Sequence, residues 1–148
     1  LVVCALDYRN ARASELTASV DGKNIAQLAR ACGVAEVHAS YDEQCTKESL
    51  RRTVQGVGSR CQPGEWFVLF YAGHGTSVRD EDGDEADGAD EALCLVDAAG
   101  ALRRDTMLTD DQLSHMLCEW IPEGVRVLVM TDCCHSGTAC DLRRPRWR

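Results

Sequence analysis

Two stretches of the chain carry residue types that do covalent chemistry, GHGT at 73–76 and TDCCHSGT at 131–138. A thiol beside an imidazole is the arrangement of a cysteine nucleophile: a cationic histidine lowers the thiol pKa, and the same ring can hand a proton to a leaving amine. His74 and one of Cys133 and Cys134 are the first candidates. The same letters admit other chemistry. Cys133, Cys134, His135 and Cys140 offer soft ligands for zinc, but structural zinc favours spaced pairs, and adjacent cysteines on a strand point apart. A redox doublet is weaker still, because a disulfide between neighbouring residues is strained. Ser136 lacks the GxSxG setting of a serine nucleophile, and a small residue before Gly137 is explained by tight-turn chemistry. His38 and His115 have no such partner logic, and His135 reads as orienting its own loop.

Both stretches follow apolar runs, FVLFYA before His74 and VRVLVM before the doublet. In open α/β sheets ligands sit outside the carboxyl ends of strands, where the loops converge. A helical crossover between these two runs makes them near neighbours, bringing His74 to a cysteine that is distant in sequence. Side chains alternate along a strand, so Asp132 and Cys134 share one side while Thr131 and Cys133 share the other, and one thiol is packed away. Alternation alone does not say which, although only Cys134 has a carboxylate two residues away on its own side.

The rest of the chain supplies a scaffold. LVVCAL reads as a first strand followed by a polar loop, and residues 21–32 as a helix with Ile25, Leu28 and Ala29 on one face, Asp21 as cap and Gly33 as stop. VAEVHAS and TKESLRRTVQGV read as a strand and a helix, and EWFVLFYAG as a buried strand after the QPG turn. ALCLVD is a further strand, AAGALRRD a turn-rich excursion, TDDQLSHMLCEW a capped helix with Leu113, Met116 and Leu117 inward, and GVRVLVM the last buried strand. Strands alternating with helices predict an α/β fold around a mostly parallel sheet.

Composition narrows the class. At 148 residues the chain is one domain's worth, and its apolar runs fall well short of the ~20 residues that span a bilayer, so no membrane partner is expected. A net charge of −8 argues against nucleic acid, which wants a basic face. The opening residues read as a strand, with neither the basic start nor the small-residue end of a signal peptide; the absence of an initial Met suggests a region of a longer protein. Nine cysteines is an odd number, and several lie in apolar runs, so reduced thiols in a cytoplasmic or nuclear protein, not a secreted one, are expected. Most of them are core filling. Eight acids crowd residues 80–91, which no core can absorb, so that segment is expected as an exposed loop. It is not an EF-hand, since neither Asp80 nor Asp82 as first position puts Gly at the sixth.

YAGHGT and DCCHSGT, in that order with DGDEADGADE and TDDQL between them, resemble the large-subunit region of the metacaspases, caspase-related cysteine peptidases. The likeness spans almost the whole chain. It implies a caspase-type three-layer α/β fold, one catalytic domain over residues 1–148, and a small subunit downstream. It implies His74 as base and acid, Cys134 as nucleophile, and an oxyanion site from the backbone N–H groups of Gly75 and Cys134. Metacaspases cleave after Arg or Lys, and Asp132 stands where caspases have glutamine, so a carboxylate facing a cationic P1 side chain is implied. The family's second P1 acid lies in a GCxND-like motif; here ASVDG places Ser19 at its cysteine and Gly22 at its aspartate, leaving Asp21 next door as the substitute.

Many metacaspases are calcium-activated, and the resemblance puts the ligands at Asp90, Asp110, Asp111 and Asp141. Converging carboxylates repel unless a cation sits between them. The plainer reading has Asp110 or Thr109 capping a helix and the other acids solvated. No organic cofactor is implied. Arg143, Arg144, Arg146 and Arg148 read equally as an autoprocessing segment or a basic linker. A non-catalytic caspase-like scaffold is the alternative to an enzyme.

Overall fold

The computed structural model describes residues 1–11, 13–79 and 89–134. β1 (Val2–Ala5) is a run of buried apolar residues, as a strand covered on both faces must be. α1 (Ala18–Ala31) starts earlier than Asp21, and Thr17 at its cap position makes no side-chain bond. The Asp7 carboxylate explains this, because it reaches from beyond β1 to accept the Ser19 N–H at 2.7 Å, satisfying an open amide of the first turn. Asp21 is therefore a first-turn acid and not the cap. Gly33, at φ +77°, ends the helix as expected.

β2 (His38–Tyr41) leads through a short 3-10 turn to α2 (Lys47–Gly58), capped by the Thr46 hydroxyl, which accepts the Ser49 N–H at 3.0 Å. β3 (Trp66–Ala72) follows, then β4 (Gly75–Arg79), β5 (Ala89–Val96), β6 (Leu102–Thr109), α3 (Asp110–Trp120) and β7 (Arg126–Asp132). Thr109 caps α3 by accepting the Gln112 N–H at 3.3 Å. Among the described residues no helix is long and apolar enough to cross a membrane.

The main sheet has the order β2-β1-β3-β7 and is parallel throughout. A second, antiparallel sheet, β4-β5-β6, lies between β3 and α3 in sequence. The turn-rich excursion expected over AAGALRRD is in fact partly β6, a strand made by pairing with β5 despite its charges, with the Thr106 hydroxyl donating to the Leu95 carbonyl at 2.6 Å. Residues 89–91 of the acidic stretch belong to β5; residues 80–88 lie outside the described ones.

Alternation along β1 and β3 builds two cores. Val3, Ala5, Phe70 and Ala72 face α1 with Ala18 and Ala26, while Val2, Cys4, Leu69 and Tyr71 face the side of α2, α3 and β5 with Val54, Leu113 and Leu95. β7 differs from the buried strand expected for it. Among the described strands it lies at the edge, with alternating exposure, and Leu128 is 42% exposed on the α1 side, because α1 covers β1 and β3 and no described element covers β7 there.

Candidate active site

β3 and β7 run in parallel register from Trp66 opposite Arg126 to Ala72 opposite Asp132, and the Gly73 N–H donates to the Asp132 carbonyl at 3.2 Å. The residues just past the two strand ends therefore lie side by side. Gly75 shows how close they come: a Cβ built on it would lie 1.9 Å from the Cys134 carbonyl oxygen and 3.2 Å from Cys133 Sγ. Only the absence of a side chain lets the two backbones approach this closely. Strand register thus brings the backbone of Gly75, the residue after His74, against that of Cys134.

His74 is held from several directions. Its ring Nε2 is 2.7 Å from the Ser14 carbonyl oxygen, which can only accept, so Nε2 carries the proton and Nδ1 is the basic nitrogen of the neutral ring. Its backbone N–H donates to the Tyr8 hydroxyl at 2.8 Å, and its carbonyl accepts from the Tyr71 hydroxyl at 2.7 Å and the Cys94 N–H at 3.0 Å. Gly73 is required beside this cluster, since a Cβ there would lie 2.7 Å from both tyrosine hydroxyls.

The cysteine doublet is asymmetric. Cys133 packs against the core that contains Tyr71, and burial pushes its thiol up to about 11, with Cys134 and other neighbouring acids adding to the shift. At neutral pH it stays a thiol and a poor nucleophile. Cys134 is exposed. Alternation places Asp132 on the α1 side, in line with Ala72 and Ala5 across the sheet, and its side is open.

The other acids near α1 divide sharply. Asp21 lies on the solvent face, and Gly22 packs so tightly on β1 that a Cβ would meet Ala5 Cβ at 2.7 Å, which leaves no room for an aspartate there. Asp7, unremarked in the sequence, is 1% exposed and accepts from the Ser19 amide at 2.7 Å, the Ser19 hydroxyl at 2.8 Å and Arg9 at 2.8 Å. Burial pushes its carboxyl up, but the Ser19 bonds and Arg9 outweigh this and hold it below its ordinary value. Because its folded pKa is depressed, its stabilisation is complete above pH 3.8 and is lost as pH falls through the lower folded value. Asp7→Asn is expected to destabilise by about 1.5–3 kcal/mol at pH 7, a deficit that shrinks as pH falls below about 4, measured by urea unfolding at several pH values.

The sequence model of the metacaspase peptidase C14 domain matches residues 2–143. The chain belongs to the metacaspase family. It is 36% identical over 97 residues to a metacaspase-1 of Arabidopsis thaliana, covering 66% of this chain and 25% of that one. It is 38% identical over 99 residues to metacaspase-1A of Neurospora crassa, covering 67% and 21%. The chain thus spans about a quarter or less of the length of these curated relatives. A crystal structure of a Geobacter sulfurreducens protein superposes with a TM-score of 0.73 at 32% identity, covering 93% of this chain and 51% of that one. A parallel sheet flanked by helices is therefore the expected caspase-like architecture.

The positions that the metacaspase resemblance assigns to calcium are partly in view. Asp90 at the start of β5 and Asp110 at the start of α3 are each 6% exposed, and Asp111 is exposed beside them. Burial pushes the Asp110 carboxyl up to about 6, against its backbone hydrogen bonds, and the charges of Asp111 and Asp90 add to the rise. Among the described residues no three ligating side chains form a ready metal cluster. Asp141 lies outside the described residues, as do His135, Ser136, Cys140 and the arginines of 143–148. His38 and His115 are exposed and pair with Glu36 and Glu119.

Sequence reasoning missed Ser14, Tyr8 and Asp7. A backbone carbonyl such as that of Ser14 leaves no mark in a sequence. The signal available for the other two was the polar pair directly after LVVCAL, at the very strand end where chemistry gathers.

Proposed function

We propose that this chain is the catalytic large-subunit region of a cysteine endopeptidase that cleaves after Arg or Lys. The observation that carries this reading is the backbone contact between the His74–Gly75 turn and Cys134, with the second thiol packed away. Cys134 Sγ gives its proton to His74 Nδ1 and attacks the scissile carbonyl carbon. The tetrahedral oxyanion is met by the backbone N–H groups of Gly75 and Cys134. His74 then protonates the leaving amine, and a water, deprotonated by the same ring, releases the acyl group and restores the thiol. The Ser14 carbonyl keeps the ring in the tautomer this exchange needs.

Asp132, exposed on the α1 side of the strand ends, is the carboxylate for a cationic P1 group. Asp7 is better placed than Asp21 as the second acid, being at the carboxyl end of β1 on Ser19, whereas Asp21 faces solvent. Calcium fits the acidic cluster, since Asp90 and Asp110 are oxygen donors buried near like charge. Asp90, Asp110, Asp111 and Asp141 would hold it, and it would order the loops around the strand ends. Asp110→Asn is expected to raise the calcium concentration for half-maximal thermal stabilisation at least about tenfold, read by melting curves over a calcium titration. A downstream small subunit would pair with the edge of β7 that no described strand occupies.

The deciding experiment uses fluorogenic peptides with P1 Arg or Asp, with and without Ca²⁺, on the chain together with any downstream small subunit. Turnover of the Arg peptide is expected. Turnover after Asp alone would sink the specificity, and no turnover of either peptide under any condition would favour the scaffold reading.

A further inference from the structure

Tyr8 and Asp42 both adopt left-handed backbone conformations, φ 61° and φ 46°, which bulky side chains rarely tolerate. Such residues persist only where their surroundings over-determine them, and they cluster at functional sites. Here the surroundings are explicit. Asp42 Oδ1 accepts the amides of Asp7 at 2.7 Å and Tyr8 at 3.2 Å, holding the turn that follows β1. That turn swings the Tyr8 ring against the His74 ring, with centroids 4.6 Å apart and planes at 37°. The Tyr8 hydroxyl, buried deep in the core, accepts the His74 N–H at 2.8 Å, donates to the Cys94 carbonyl at 2.7 Å and lies 3.0 Å from the Tyr71 hydroxyl. A tyrosine filling the core needs none of this aim; a leucine in an ordinary turn would fill the same space.

We infer that Tyr8 is a positioning residue for His74, clamped by Asp42 so that its hydroxyl fixes the backbone of the histidine and its ring fixes the imidazole plane. One phenol thereby ties the end of β1 to the turn after β3 and to β5, joining both sheets at the base. Its kinetic consequence rests on the peptidase reading, but its structural consequence does not.

Tyr8→Phe separates the two, since it keeps the ring and removes only the hydroxyl. On the chain with its downstream region, kcat is expected to fall about ten- to a hundredfold while KM stays within about twofold, as for lost positioning of a proton-transfer group. In parallel, the His74 Cε1–H resonance and its pH titration are followed by NMR in a Cys134→Ala background, where Tyr8→Phe is expected to move both. The NMR arm decides the matter even if the unaltered protein hydrolyses no peptide. The inference is overturned if the His74 resonance is unchanged, whether kcat holds or falls only in step with the melting temperature.

Discussion

Cys134→Ala is expected to abolish the proposed peptide hydrolysis, a loss on the order of 10⁴-fold or more, whereas Cys133→Ala is expected to keep kcat/KM within about threefold. The contrast follows from what each sulfur touches. Cys134 is exposed at the strand end beside Gly75, where a substrate can reach it. Cys133 packs on the Tyr71 core with its thiol pushed up to about 11, so a negligible fraction is thiolate at pH 7. Its truncation removes a small packed group, a loss of about 1 kcal/mol in stability at most. Iodoacetamide labelling checks the same contrast without a substrate, since Cys134 is expected to alkylate well before Cys133. Loss of activity in Cys133→Ala with Cys134→Ala active would refute the assignment.

The second large effect needs no change to a reacting side chain. Gly75→Ala is expected to lower kcat/KM about a hundredfold or more while the protein stays folded. The new methyl carbon would lie 1.9 Å from the Cys134 carbonyl oxygen, a backbone atom that cannot rotate out of the way. One of the two loops must therefore move by more than an ångström, and displacements of that size forfeit about two orders of magnitude in rate. The same shift would spoil the pair of amides proposed to meet the oxyanion. Far-UV circular dichroism and active-site alkylation of the variant give the check: native secondary structure with slowed labelling of Cys134 and lost turnover is the expected outcome, and wild-type turnover would mean the loops are not held in this contact.

Much of the scaffold was legible because local chemistry and global structure agree. EWFVLFYAG is too apolar for anything but a buried strand, and Thr46 and Thr109 cap the helices that follow them. β6 escaped notice because LRRD carries no alternation; only pairing with β5 makes it a strand. The start of α1 was misplaced because its open amide is met by Asp7, a partner from another element, which no local pattern announces. Half-exposure of β7 was hidden for the opposite reason, since VRVLVM is apolar enough for a core and says nothing of what covers it. At the candidate site, the proposed nucleophile and base are readable as letters, but the tautomer and aim of His74 come from Ser14 and Tyr8 through a carbonyl and a strained turn.

The pairing of β3 with β7 also acts as a gauge. Each residue of strand advances about 3.3 Å and turns its side chain to the opposite face, so the ladder from Trp66–Arg126 to Ala72–Asp132 decides both how far the doublet reaches and which sulfur looks out. Loss of one residue from VRVLVM would draw the doublet back by one rung and exchange the faces of its two thiols, with the acid before them turned inward. Val127, Val129 and Met130 of this strand answer to the two cores they pack against, whereas its length answers to which of the two thiols faces out.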